Sequence, residues 1–471
     1  MNNIIGSYLM PHPPIIIPDI GKGEEHKIED TLTSCNAIAE EISYLEPETI
    51  IIITPHGTMF SDAVAISNEK KIHGDFRNFR AANINMDIEL DTQFNERLIL
   101  NCHDNDIPAG LVDSGILSRY GHEFTLDHGA MVPLYFVNKY YTDYKLVHIT
   151  YSMIGDINLY KFGMEVKKTA QELNRKCVII ASGDLSHKLK DEGPYSYSPY
   201  GEKFDNTFLN NLKNGNIHSV FTMDKKMVEE AGQCGLNSVY IMLGAHNTEK
   251  LKGDLLSYEG PFGVGYGVMK FHSAGTEDNL LDSLIKDKEE KYKKKLHNNN
   301  PYTKLARENL MYYFSHGTKI TDLSNIPDEL LNKRSGVFVS LKKFGTLRGC
   351  IGTILPVTDS ISQEIINNSI SAAMNDPRFP AVQEEELCDI DISVDVLTTP
   401  VKASKEELNP KKYGVIVSKG YKKGLLLPDL EGIDTVEKQL QIACDKGEID
   451  YFSDDYDIEK FEVIRYSEVS D

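Results

Sequence analysis

The run Thr49–Thr54 (Thr-Ile-Ile-Ile-Ile-Thr) constrains the fold more than any other feature. Four successive isoleucines read as a continuous buried strand, far short of the ~20 residues of a membrane span. Around it, Ile4–Met10, Lys145–Thr150, Cys177–Ala181 and Gly265–Phe271 read as further strands. Lys27–Leu45 carries Ile28, Leu32, Ile38, Ile42 and Leu45 at helical spacing, and Asp156–Asn174 and Asn237–Leu243 read as helices. This alternation argues for an α/β sandwich with a mainly parallel or mixed sheet.

The segment Lys286–Lys295 (KDKEEKYKKK), an Asn run and Pro301 interrupt the pattern. Such a stretch reads as a linker or as a solvated helix face. Taken as a charged linker over 273–300, it separates a domain over 1–272 from one over 301–471. Twelve of the 14 histidines precede it, so histidine chemistry belongs to the first domain. The second reads as a separate α+β domain. Its expected helices are Tyr302–Phe314, ended by Gly317, and Asp359–Ala373; its expected strands are Gly336–Leu341, Asp391–Leu397 and Tyr413–Val417. Gly420 and Gly424 suit a hairpin turn before Leu425–Leu427.

The 471 residues include 50 Lys plus Arg against 71 Asp plus Glu, a formal net charge of -21. That speaks against a nucleic-acid or anionic-membrane binder, both of which need a positive field. The first residues lack a basic n-region and break at Pro11, unlike a signal peptide. Seven cysteines without a CxxC pair make neither a disulfide framework nor a zinc finger. A reducing cytoplasm is the expected compartment.

Within the first domain one event recurs. Ile4–Met10 runs into Pro11-His12-Pro13, and Thr49–Thr54 runs into Pro55-His56-Gly57. Cys177–Ala181 runs into Ser182-Gly183-Asp184-Leu185-Ser186-His187. Ligands of α/β sheets bind at the carboxyl ends of strands, so these histidines can converge on one pocket. Each alone is more simply a satisfied polar residue, and the simpler reading of Ser182 and Asp184 is as N-caps of the following helix. Three together favour a site, and two imidazoles with one further donor suit a metal with open positions.

These segments, with Leu126-Asp127-His128-Gly129-Ala130 and Pro133-Leu134, resemble the class III extradiol dioxygenase (LigB-type) superfamily and its MEMO-like members. The resemblance covers about residues 1–272. It implies His12 and His56 as metal ligands, and His128 and His187 as acid/base groups serving a substrate hydroxyl and oxygen. Asp184 would orient His187. Ring-cleaving members use a glutamate as third ligand. Here the matching position lies in Gly232-Gln233-Cys234-Gly235 and offers Cys234, as in MEMO-like proteins, with Glu229 and Glu230 as nearby alternatives. A thiolate is softer than a carboxylate and suits copper(I), zinc or iron, which puts catechol cleavage in question. The plainer reading of Cys234 is a small buried residue. His122 and Glu123 either line the pocket or belong to a loop.

In the second domain, Gly345–Thr353 (GTLRGCIGT) carries three glycines that imply close backbone approach or a ligand cradle, without the Gly-Lys-Ser/Thr of a phosphate loop. Leu347–Gly352, Asp376–Pro380 (DPRFP), Asp391–Leu397 and Gly424–Pro428 (GLLLP) resemble the AMMECR family. That implies an α+β fold and a cleft near Arg348 and Cys350, but no reaction. Cys350 is either a reactive thiol beside Arg348 or a structural residue. Both domains in this order resemble the bacterial AmmeMemoRadiSam family, whose name implies a radical-SAM partner.

The expected function is a dioxygenase-like oxidoreductase acting on a phenolic or hydroxyl-bearing small molecule. Fe(II) is the expected metal, with zinc or copper as alternatives. The rivals are a zinc hydrolase at the same residues, and a non-catalytic binding module.

Overall fold

The computed structural model describes residues 3–297, 300–430, 432–453 and 455–468. The chain divides into two compact units, 1–288 and 289–471.

The first unit contains β1 (Ile4–Met10), β2 (Thr49–Thr54), β3 (Val64–Ser67), β4 (Lys71–Phe76), β5 (Ala81–Glu89), β6 (Ala109–Val112), β7 (Lys145–Thr150), β8 (Cys177–Ser182), β9 (Glu249–Glu259) and β10 (Tyr266–Thr276). Eight of these form one mixed sheet in the order β6-β3-β7-β2-β8-β1-β10-β9, while β4 and β5 make a separate hairpin. Its centre, β7-β2-β8-β1, is parallel, and β10 and β9 close one side antiparallel.

The isoleucines of β2 explain the layering. Ile50 and Ile52 pack with Ile38 and Ile42 of the helix Glu29–Leu45 and with Leu134 of the helix His128–Val137. Ile51 and Ile53 face the other way, onto Phe162 and Val239 of the helices Asp156–Glu172 and Leu236–Gly244. Each such side chain, fully withdrawn from water, contributes roughly 1.5–3 kcal/mol. Parallel strands covered on both faces are apolar throughout. The polar strand β9 lies at the sheet edge with much of its length exposed, so no apolar run marked it in the sequence.

The stretch 273–300, expected as a linker, continues β10 to Thr276 and then forms the helix Leu280–Leu296. Leu284 is buried in the first unit's core, and the division between units falls inside this helix.

The second unit contains β11 (Val337–Lys343), β12 (Thr346–Gly352), β13 (Ile390–Leu397), β14 (Val401–Lys402), β15 (Gly414–Lys419), β16 (Lys422–Leu426), β17 (Asp457–Phe461) and β18 (Val463–Ser467). They form two antiparallel sheets, β12-β11-β13-β18 and β14-β17-β15-β16. The helices Pro301–His316 and Ile361–Met374 cover the first through Leu305, Leu310 and Ile365. The helix Val436–Lys446 covers the second. Gly420 occupies the β15–β16 turn with a positive φ of 61°. Gly424 is not in that turn but within β16, where a Cβ would lie 1.9 Å from the Ala443 carbonyl oxygen. It is glycine because the helix presses on the strand.

Candidate metal centre

Adjacent strands β2, β8 and β1 deliver their carboxyl ends to one place. His12 follows β1 and is 2 % exposed. Its backbone N–H donates to Asp184 Oδ1 at 2.9 Å, and its Nδ1 lies 2.9 Å from Ser182 Oγ. His56 follows β2, with its backbone N–H donating to Thr54 Oγ1 at 3.2 Å. Its Nε2 lies 3.0 Å from His12 Nε2.

His128 opens the helix His128–Val137, which Asp127 caps through Oδ1 and the Ala130 N–H. Its ring stacks on His56 at 4.2 Å between centroids and meets His12 edge-on at 5.5 Å. One nitrogen from each of these three histidines falls within 4.8 Å of the other two.

Glycines make this convergence possible. A Cβ on Gly129 would fall 2.4 Å from Thr54 Oγ1, and one on Gly57 would fall 2.0 Å from Thr150 Oγ1. Gly183 crosses Gly235 so closely that a Cβ would lie 2.1 Å from the Gly235 Cα. This crossing brings Cys234 to the cluster. Its Sγ lies 3.7 Å from His12 Nε2 and 3.9 Å from His187 Nε2, and it accepts the Asp184 backbone N–H at 3.3 Å. Glu229 and Glu230 are exposed on the helix Lys225–Ala231, so it is Cys234 that sits beside His12.

His187 is half-buried, and Tyr195 stacks on its ring at 5.8 Å. Asp184 is bonded to the His12 backbone rather than to the His187 ring, and its Oδ2 is 3.8 Å from His12 Nε2. No helix follows β8 until Pro199, so Ser182 and Asp184 cap nothing and serve His12 instead. His122 and Glu123 are exposed in the turn after the helix Ser114–Arg119.

Burial lowers the pKa of all four ring systems. His12 falls well below its ordinary value, by burial and then by His56. His56 falls by burial and by His128, and His128 drops to about 4 by burial and by His12. His187 is lowered chiefly by burial. All four are therefore neutral near pH 7, the form in which imidazole binds metals. Burial and the Asp184 charge push the Cys234 thiol upward, and burial raises Asp184 to about 6.

The donor set fits a divalent metal. Two nitrogens sharing an ion at about 2.0–2.1 Å lie about 2.8–3.4 Å apart for angles between square and tetrahedral. The 3.0 Å separation falls in that span. His12 and His56 can hold such an ion, with His128 or Cys234 as the third donor.

Sequence reasoning missed a buried layer beneath this cluster. His148 Nε2 lies 3.0 Å from Asp127 Oδ2, and His148 Nδ1 lies 2.8 Å from Ser67 Oγ. Thr54 Oγ1 donates to Asp127 Oδ1 at 2.6 Å. An ionisable residue inside the apolar run Leu146–Thr150 was the available signal.

Residues 6–269 match the family of the catalytic LigB subunit of aromatic ring-opening dioxygenase. The chain belongs to the LigB family. Behind this dioxygenase-like domain, residues 303–469 match the AMMECR1 family. This LigB-family chain is 53 % identical over 464 residues to Protein CA_C1420 of Clostridium acetobutylicum, covering 98 % of this chain and 99 % of that one. A Thermotoga maritima protein is 49 % identical over 169 residues, covering 36 % of this chain and 97 % of its own. The structure of Pyrococcus horikoshii PH0010 is 31 % identical over 35 % of this chain and 87 % of that one, with a TM-score of 0.32. Among the described residues, no helix is long and apolar enough to cross a membrane.

In the AMMECR1 domain, Cys350 is half-buried and its Sγ accepts from Ser340 Oγ at 3.1 Å. Arg348 is committed elsewhere: its guanidinium donates to Glu386 at 2.9 and 3.1 Å and to the Pro380 carbonyl at 2.7 Å. It is Arg378 that reaches the Cys350 backbone, donating to its carbonyl at 3.1 Å.

Proposed function

We propose that the LigB-type domain is a non-haem, metal-dependent oxidoreductase acting on a phenolic or hydroxyl-bearing small molecule, with Fe(II) as its metal. The observation that carries this reading is the 3.0 Å approach of two Nε2 atoms on imidazoles that burial keeps neutral. His12 and His56 hold the ion, and Cys234 or His128 completes the set. Fe(II) bound there supplies one-electron chemistry with O₂ and a Lewis-acidic position for the substrate hydroxyl.

His187 Nε2 faces the cluster past Cys234 Sγ. As a neutral base it takes the proton of the substrate hydroxyl. His128 borders the same space and orients substrate or oxygen. Phe79, edge-on to His128 at 5.4 Å, and Tyr195, stacked on His187, offer ring faces that suit a phenol.

A second reading is favoured by Cys234. Nitrogen and sulfur donors together are the ligand set of zinc, which would activate water for hydrolysis. The AmmeMemoRadiSam-like domain order supports a third role, in which the AMMECR1 domain recognises substrate or a radical-SAM partner. A reducing cytoplasmic setting, where Cys234 stays a thiol, belongs to the same proposal.

The test is anaerobic purification with metal quantification, beside His56→Ala. About one iron per chain, lost in the variant, together with substrate-dependent O₂ consumption, supports the oxidoreductase. Stoichiometric zinc with activity independent of O₂ transfers the assignment to a hydrolase. No stoichiometric metal overturns both, and a radical-SAM protein recovered with the wild type then supports the binding module.

A further inference from the structure

We infer that Pro133 sets which nitrogen of His12 carries the ring proton and so leaves Nε2 bare toward the metal centre, acting through the Gly129 carbonyl and the Ser182 hydroxyl. The inference rests on the metal-centre reading above and deepens it.

Pro133 lies inside the helix His128–Val137. Proline has no backbone N–H, so the carbonyl four residues earlier loses its helical donor. That carbonyl belongs to Gly129. The Ser182 hydroxyl takes the vacant place, donating to Gly129 O at 2.5 Å. A carbonyl oxygen only accepts, so the single hydroxyl hydrogen of Ser182 is committed to it.

His12 Nδ1 lies 2.9 Å from the same Ser182 oxygen. With the hydroxyl hydrogen spent, Ser182 can only accept from His12, and the ring proton must sit on Nδ1. A neutral imidazole carries one ring proton. His12 Nε2 is thus left with its lone pair, 3.0 Å from His56 Nε2. Every member is enclosed: Ser182 is 0 % exposed and His12 is 2 % exposed, so water does not compete for these bonds.

A proline inside a helix ordinarily destabilises it. Here the carbonyl it frees is the anchor that turns Ser182 into an acceptor for His12. Pro133 and Ser182 are positioning residues, since neither is a donor to the ion. Partners of this kind fix ligand tautomer and orientation in metal sites.

The experiment uses the full chain with Zn(II) as probe. Zinc affinity is measured by chelator competition for the wild type, Ser182→Ala, Pro133→Ala and the double variant. The His12 tautomer is read from imidazole ¹⁵N shifts of the metal-free protein. The wild type should show His12 protonated at Nδ1. Ser182→Ala should move population to the Nε2–H form and weaken zinc roughly 10–100-fold, the usual effect of losing such a partner.

Pro133→Ala restores a helical N–H to Gly129 and should weaken zinc less, because a carbonyl has two lone pairs. The double variant should match Ser182→Ala alone, since the two act in series; a merely structural role would make the losses add. An Nε2–H His12 in the wild type, unchanged zinc affinity in Ser182→Ala, or additive losses overturns the relay. Should Ser182→Ala not fold, Pro133→Ala still tests it, alanine being the better helix former: an unchanged tautomer and zinc affinity there overturn the relay. A wild type with Nδ1–H His12 that binds neither zinc nor iron overturns the metal-centre reading instead.

Discussion

His148 donates through Nε2 to Asp127 Oδ2 at 3.0 Å, both side chains buried beneath the histidine cluster. Burial pushes Asp127 upward, but bonds from His148 and Thr54 outweigh it and hold the carboxyl well below its usual range. Asp127 also caps the helix that begins at His128, and Thr54 Oγ1 accepts the backbone N–H of His56. The pair therefore ties the supports of two of the three clustered histidines.

His148→Phe removes the donor and leaves a buried charge short of a partner, which costs about 3–5 kcal/mol. His148→Gln, which can keep a donor near the Nε2 position, should recover much of that loss. Urea unfolding of the full chain measures both. Equal stability of the Phe variant and the wild type would sink the claim.

Gly183→Ala forces a methyl into the backbone of Gly235, at 2.1 Å from its Cα. The two segments must part, at about 1–3 kcal/mol. Because the crossing carries Cys234 to His12, the variant should also bind Zn(II) more weakly. Wild-type zinc affinity in Gly183→Ala would mean that Cys234 contributes nothing to holding the ion.

Burial raises Asp205 to about 7, against the Ser186 N–H and Tyr258 O–H bonds that pull it down. An unfolded aspartate titrates near 3.9. Between about pH 4 and 7 the folded chain therefore keeps a proton that the unfolded chain releases. This contribution to stability is present below pH 4 and is lost as the pH rises through 7. Asp205→Asn lacks that loss, so its Tm relative to the wild type should climb across this window. Parallel Tm profiles would rule the shift out.

In the AMMECR1 domain the buried Arg307 donates to Glu468 Oε2 at 2.7 Å and to the carbonyls of Leu387 and Ile390 at 3.0 and 2.7 Å. Arg307→Ala takes the cationic partner from the buried Glu468 carboxylate, leaving it the Ile392 N–H at 2.8 Å, and should destabilise this domain by about 3–5 kcal/mol. The effect is read from its unfolding transition, with the LigB-type transition as the internal control.

The elements that carry the candidate site were legible where the signal was local. Ile4–Met10, Thr49–Thr54 and Lys145–Thr150 read as strands from their largely apolar runs, and they fold as strands over those same bounds. The polar edge strand β9 and the short strands β3 and β6 carried no such run. The histidines at the ends of β1 and β2 were visible because each is joined to its strand by only one residue.

What the sequence by itself determined is therefore the central strands β1, β2, β7 and β8 and the histidines that leave the ends of β1 and β2. Only the tertiary structure decided which groups meet. The order β2-β8-β1 sets Ser182 between the two histidines, and the Gly183–Gly235 crossing brings Cys234 rather than Glu229 or Glu230 to His12. Asp184 turns to the His12 backbone, and Arg348 to Glu386 instead of Cys350. The physical reason is range: hydrophobic periodicity acts over a few residues along the chain, whereas a side chain's partner depends on sheet order and packing between segments far apart in sequence.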